Sequence, residues 1–373
     1  MEQFFDENNY MAHRTPKYIE IRNYLYELIK ANVDNPSFKL PSENMLAQKF
    51  KVSRITSKQA FTQLEKEGLI SRVQGKGTFI NSTIKTFTPP SSKITSKNLI
   101  GLILPDLKSN FMIKIIDGVE SYARKNDFML LVSNSNYNQE FEYSSIKNFY
   151  SIGMSGIVII PVDGQKYNKE ILRLSLVNYP IVFVDRSLPG IDVSIVSSDH
   201  MYDAFIITEY LIRKGHTKIG FISTLGISTS TINERITGYQ KAMNEANLTV
   251  EPRFVFSNLH HYDPNFEAKI TEYVRTNDDL TAIITLDSDI GYRLLMVLRK
   301  LNIQVPQQIS VASFDDELSQ YDDLFRTQLT STSQDAFKIG SLAAKLLIER
   351  INNPLAPPKI MKIKSSLNIK TST

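Results

Sequence analysis

Across residues 99–314 the chain repeats one pattern, a short apolar run followed by a stretch that is apolar along a single face. The runs occupy 99–104, 128–133, 156–160, 181–184, 193–197, 218–222, 282–285 and 309–314. Helical periodicity fills 113–125, 204–214, 236–246 and 291–301. Such alternation predicts parallel strands with crossover helices packed on both faces of a sheet. About 275 residues are too many for one small sheet, so two similar α/β lobes are expected over 99–373.

The front quarter follows a different rule. Residues 1–15 lack periodicity and are expected to form a flexible arm. Tyr18, Ile21, Leu25, Leu28 and Ile29 recur at three- and four-residue spacing, which predicts a helix over 18–31 stopped by Asp34-Asn35-Pro36. Ser42 is placed to cap a second helix carrying Met45, Leu46 and Phe50. Lys51-Val52 makes a turn, and Ser53 caps a third helix with Ala60, Phe61 and Leu64 inward and Gly68 just past its end. Residues 69–73 and 78–80 then alternate around Gln74-Gly75-Lys76-Gly77, a hairpin. Three helices and a hairpin make a small α+β winged helix-turn-helix, assigned to 16–80. The following 81–98 read as a linker, rich in Ser and Thr, with Pro89-Pro90, Lys85, Lys93 and Lys97.

Charge supports a polyanion-binding front end. The whole chain is +4, yet residues 1–98 hold 15 Lys and Arg against 9 Asp and Glu, while the remainder holds 28 against 30. A winged helix presents the start of its third helix to DNA. Here that places Ser53, Arg54, Thr56, Ser57 and Lys58 at base edges and phosphates, with Ser42, Glu43 and Asn44 at the start of the second helix beside them. Arg54 can engage guanine or a phosphate through its fork, and Ser53 and Thr56 can donate to phosphates. Gln74, Gly75 and Lys76 form the wing tip, where glycine lets the backbone come close to a strand.

These residues resemble the GntR family of bacterial regulators. Its pattern is met by Leu40-Pro41-Ser42-Glu43, Leu46-Ala47, Phe50, Val52-Ser53-Arg54, Thr56, Ala60, Leu64, Glu67-Gly68-Leu69 and Gly75-Lys76-Gly77-Thr78-Phe79. Asn44 stands where many members carry a basic residue, and Lys58 replaces a common Arg, exchanging a fork for a point charge. Both bear on the operator sequence.

Residues 99–373 resemble the effector domain of the lactose/galactose repressors, a relative of periplasmic sugar-binding proteins. The resemblance rests on Asp117-Gly118-Val119-Glu120, Val184-Asp185-Arg186, the run Leu211 to Gly220, Glu234-Arg235 with Gly238-Tyr239, and Val305-Pro306 through Phe314-Asp315-Asp316. It implies a cleft between two lobes at the C-terminal ends of the strands. Carried over residue by residue, it implies Arg235 as a guanidinium clamp and Asp315 as hydroxyl acceptor. Lys108, Asn110 and Phe111 lie in the loop after the first strand, and Arg186 and Gln334 follow strands that reach the cleft. Asp287-Ser288 departs from the usual Asn-Asp pair, so Asp287 or Asp289 would supply that contact. A turn role for Asp315 and a helix-start role for Arg235 stay open, as do structural roles for Phe111, Arg186, Asp287 and Gln334. His216 reads as part of a Gly-His turn, and His260-His261 with Asp263 as a loop, because no third metal ligand follows at a defined spacing.

The two resemblances together match the arabinose repressors of low-GC Gram-positive bacteria. They imply a ligand-controlled repressor that binds double-stranded operator DNA as a homodimer and responds to a small sugar. L-Arabinose is favoured over other pentoses, hexoses or sugar acids, and activation stays open as an alternative. No cofactor or metal is expected. The absence of cysteine excludes disulfides and thiolate metal sites, and no apolar run is long enough to span a membrane. A polar N-terminus without a signal pattern argues for the cytoplasm and against a transport protein. A fused pyridoxal-phosphate enzyme would need a Schiff-base lysine in its own motif, which is not found; GxSxG and HExxH are also missing.

Overall fold

The computed structural model describes residues 16–33, 35, 37–81, 98–162, 168–224, 229–257, 259, 263–316 and 326–373. The expected arm, all but the ends of the expected linker, and His260 and His261 lie outside them. By internal contacts the chain divides into two units, residues 1–90 with 169–179, and 91–168 with 180–373.

In the first unit, α1 (Lys17–Ala31), α2 (Glu43–Phe50) and α3 (Arg54–Lys66) precede an antiparallel hairpin of β1 (Ile70–Val73) and β2 (Gly77–Ile80). Ile21, Leu25 and Ile29 of α1 meet Leu46 of α2 and Ala60, Phe61 and Leu64 of α3 as the buried positions of the three helices. Tyr18 and Leu28 are only half-buried, and Arg22 and Tyr26 take their places on the inner stripe. Ser42 and Ser53 both cap as their positions predict, accepting from the Met45 N–H at 3.3 Å and the Thr56 N–H at 3.2 Å. Gly68, at φ +72°, ends α3 in the left-handed region.

The second unit holds two parallel-rich sheets. The first lobe contains β3 (Leu99–Leu104), α4 (Asn110–Lys125), β4 (Met129–Asn134), α5 (Gln139–Ser151), β5 (Gly156–Ile159), β6 (Ile181–Val184) and β7 (Ser194–Ser198), with α6 (Lys169–Leu176) following β5 in the chain but lying outside this unit. The chain then crosses to α7 (His200–Arg213), β8 (Ile219–Ile222), α8 (Ser230–Glu245), β9 (Val255–Phe256), α9 (Phe266–Thr276), β10 (Ala282–Thr285), α10 (Ser288–Lys300), β11 (Ser310–Ser313) and β12 (Thr330–Ser333). It returns to the first lobe for α11 (Ala336–Asn352) and β13 (Ile360–Ile363), and ends in the second as β14 (Ser366–Asn368). Strand orders are β13-β7-β6-β5-β3-β4 and β14-β12-β11-β10-β8-β9, all parallel except the β12–β14 pair. By contacts α6 groups with the first unit, where the Tyr26 hydroxyl donates to the Leu172 carbonyl at 3.2 Å.

Apolar strands covered on both faces explain the two cores. Ile100, Leu102 and Leu104 join Val158, Val182 and Val196 under α4 and α11. Ile283 and Val311 face α9 and α10, while Phe221, Ile284 and Phe314 face α7 and α8. Each lobe presses one helix pair together at glycine. A side chain at Gly118 of α4 would meet the Phe337 carbonyl of α11, and one at Gly238 of α8 would meet the Met201 carbonyl of α7. Among the described residues no helix is long and apolar enough to cross a membrane.

Candidate functional site

The exposed start of α3 carries Ser53, Arg54, Ile55, Lys58 and Gln59. Arg54 is held rather than free: its Nε lies 3.4 Å from Glu43, whose carboxylate also takes Arg72 Nη1 at 3.2 Å. Glu43 therefore ties α2 to α3 and β1, and its role in the fold is to orient Arg54. Thr56 is half-buried, with its hydroxyl 2.9 Å from that of Ser53, so the pair closes the helix start. Ser57 corrects the sequence expectation. It is fully buried, with its hydroxyl 2.8 Å from the Glu43 carbonyl and 3.0 Å from that of Arg54. Three residues before Ala60 on a helix of 3.6 residues per turn, it belongs to the inner seam. Asn44 is exposed on α2, as are Ser42 and the wing-tip residues Gln74, Gly75 and Lys76. The wing loop turns through Gly75 at φ +75°, and the Lys76 N–H closes it on the Val73 carbonyl at 3.0 Å. Lys39 bridges to Phe79, fixing the base of the hairpin, a contact the sequence pattern did not indicate.

In the second unit a narrow cleft is lined by Asn110, Phe111 and Lys114 of α4, Asp315 and Asp316 after β11, and Gln334 and Ala336 at the crossing from β12 to α11. The structure thus brings together four expected residues, Asn110, Phe111, Asp315 and Gln334. Behind them Arg235, only 6% exposed, donates from Nη2 to both Asp315 oxygens at 3.0 and 3.1 Å and from Nη1 to the Leu286 carbonyl at 2.8 Å. Its guanidinium lies 4.6 Å from the centre of the Phe314 ring. Its Nε is buried and has no partner among the described residues. Gln334 donates from Nε2 to Asp315 and accepts from the Ser198 hydroxyl at 2.5 Å. Asp315 sits at φ +59°, in the left-handed region that Asp tolerates better than most residues, and this bend follows directly on β11.

Other expected residues do not line that cleft. Asp287 caps α10, accepting the Ile290 N–H at 2.9 Å, and Asp289 is half-exposed, 3.7 Å from Arg293. Lys108 is exposed in a loop organised by Asp106, which accepts the Lys108 and Ser109 N–H groups and the Tyr137 hydroxyl at 2.7 Å. Burial raises the Asp106 carboxyl, but those three donors outweigh it and hold it below its usual range. Arg186 directs Nη1 toward the Pro161 carbonyl at 3.4 Å. His216 lies 3.0 Å from the Thr281 hydroxyl, consistent with a structural turn.

Sequence reasoning missed Lys114 and Asp316, which need the register of α4 and β11 to be seen. It also missed His200, buried at the first turn of α7, whose Nε2 lies 3.1 Å from Asp185. Burial raises Asp185, yet His200, Arg186 and Arg235 outweigh that and hold its carboxyl below the ordinary range. The three lobe crossings are stitched to one another: Ser198 to Gln334, and Asp203 to the N–H and hydroxyl of Ser365 at 3.1 and 2.6 Å.

Residues 17–80 match the bacterial regulatory proteins of the gntR family, and residues 208–373 match the periplasmic binding protein-like domain. The chain therefore joins a GntR-type N-terminal region to a periplasmic-binding-protein-like C-terminal region. It is 25% identical over 343 residues to the arabinose metabolism transcriptional repressor of Geobacillus stearothermophilus, covering 90% of this chain and 91% of that protein. It is 24% identical over 268 residues to the ribose operon repressor of Haemophilus influenzae, with 71% and 77% covered. Its fold is that of the transcription regulator CcpA of Lactococcus lactis, with a TM-score of 0.65, 23% identity, and 74% and 99% of the two chains covered. These relatives are regulators rather than enzymes.

Proposed function

We propose that this regulator is a cytoplasmic repressor that binds a palindromic operator as a homodimer and lets go of it when a small sugar, foremost L-arabinose, occupies the second unit. The observation that carries this reading is the cleft at Phe111. It offers an aromatic face for sugar C–H groups beside Asn110, Gln334 and Asp315 for hydroxyls, backed by the Arg235 clamp. The winged helix-turn-helix at 16–80 supplies the output, with Arg54, Lys58 and Lys76 on its exposed surface, and 81–98 serves as the linker. A sugar controls the output only by binding one lobe arrangement more tightly than another. Likeness along 90% of the chain to an arabinose metabolism repressor favours that pentose.

A second reading has a sugar acid as effector. Lys114 lines the cleft and makes no hydrogen bond or ion pair among the described residues, which leaves a cation for a carboxylate. Thermal melting of the full chain with L-arabinose, ribose, glucose and their aldonic acids separates the two. L-Arabinose alone raising the melting temperature, and releasing a bound duplex in a mobility-shift assay, supports the first reading. A shift with an acid, lost in Lys114→Gln, replaces it with the second, and operator binding indifferent to every sugar and acid defeats both.

A further inference from the structure

Ile55 is 79% exposed at the second position of α3. An exposed isoleucine by itself says little. Its place says more, because it lies on the side of the helix opposite the buried seam of Ser57, Ala60, Phe61 and Leu64. Its neighbours on the outer surface are Arg54, Lys58 and Gln59, all exposed and polar. Among the described residues nothing calls for an apolar side chain there. A β-branched residue also suits an exposed helix position less well than Lys, Gln or Glu. The surrounding Arg54 and Lys58 complement DNA, and Arg54 is held in place by Glu43.

Within the major groove the base edges offer donors, acceptors and one apolar group, the C5-methyl of thymine. We infer that Ile55 reads a thymine methyl next to the base pair that Arg54 engages, and so fixes an A·T pair at one position of each operator half-site. This rests on the operator-binding reading above. A leucine or lysine at the same place would change which base is accepted without disturbing the fold, because the side chain is exposed among the described residues.

The test begins with selection of duplexes from a random library by the purified full chain. Each thymine of the enriched site is then replaced singly by deoxyuridine, which removes only the methyl. One position per half-site is expected to lose roughly three- to five-fold in Kd, the value of one buried methyl. Ile55→Val keeps that loss, whereas Ile55→Ala binds the thymine and deoxyuridine duplexes alike, with an unchanged melting temperature. A tightly bound site at which no deoxyuridine matters overturns the inference and leaves operator binding standing. So does an Ile55→Ala protein that keeps the full loss. Failure to enrich any duplex overturns operator binding and this inference together.

Discussion

Glu67, at the C-terminal end of α3, is a carboxylate in a place that resists charge. Burial pushes its pKa up to about 7, against the opposing pull of the Arg22 guanidinium and a hydrogen bond from Gln63, and its Oε2 has no partner among the described residues. A carboxyl whose pKa is raised on folding binds its proton more tightly in the native state. Its contribution is fully present below about pH 4.5 and is lost as pH rises through about 7, a total on the order of 3 kcal/mol. Glu67→Gln is therefore expected to match the wild type in denaturant titrations near pH 4.5 and to exceed it at pH 8. Equal stabilities at both pH values would contradict the assignment. Asp315 is a carboxylate held by Arg235 and Gln334. Asp315→Asn leaves the buried Arg235 without its counter-charge and is expected to cost about 3 kcal/mol, read as a lowered unfolding midpoint. The same variant should lose any melting shift that a sugar gives the wild type.

At the scale of elements, α3 shows what a sequence discloses and what it withholds. Its caps, its inner residues Ala60, Phe61 and Leu64 and its glycine stop follow from local rules. The outward set is harder, because consecutive residues on a helix turn by about 100° and cannot all face one partner. Ser57 is the residue for which that geometry decides. Arg54→Ala is expected to weaken operator binding by about 1–3 kcal/mol with unchanged melting. Ser57→Ala should lower stability by about 1 kcal/mol and leave the affinity of the folded protein alone. Melting curves beside mobility shifts would separate the two, and a reversed pattern would mean the helix sits the other way round. The strands tell a similar story. Those built from apolar runs, such as β3, β6 and β10, lie within a residue of their expected limits, since burial on both faces leaves a continuous signal. β12 is Thr330-Ser331-Thr332-Ser333, with no apolar run at all, and owes its burial to a place between β11 and β14. The cleft residues divide in the same way: Arg235 and Asp315 stand out in sequence, while Lys114 reaches the site only through the register of α4.

On the scale of the whole molecule, the second unit is a pair of sheets joined by three chain crossings, after β7, after β12 and between β13 and β14. Hydrogen bonds from Ser198 to Gln334 and from Ser365 to Asp203 link the crossings laterally, so the lobes are expected to move by a shared bend rather than by three independent ones. Ser365→Ala would loosen only that coupling. Hydrogen exchange is expected to rise at the start of α7 and around β13 while the sheet interiors stay protected, and uniform loss of protection would point instead to general destabilisation. The returning chain also sets an order of manufacture. β7 pairs with β13, so residues 194–198 wait for residues 360–363, and α4 waits for α11. A chain emerging from the ribosome has made β3 to β7 long before it owns the helix and edge strand that finish their sheet. Contacts so distant in sequence are slow to close. The first lobe, although first to be synthesised, is among the last parts of the second unit to be completed, and loss of the final few dozen residues would damage the sheet that begins at Leu99 as much as the one that ends the chain.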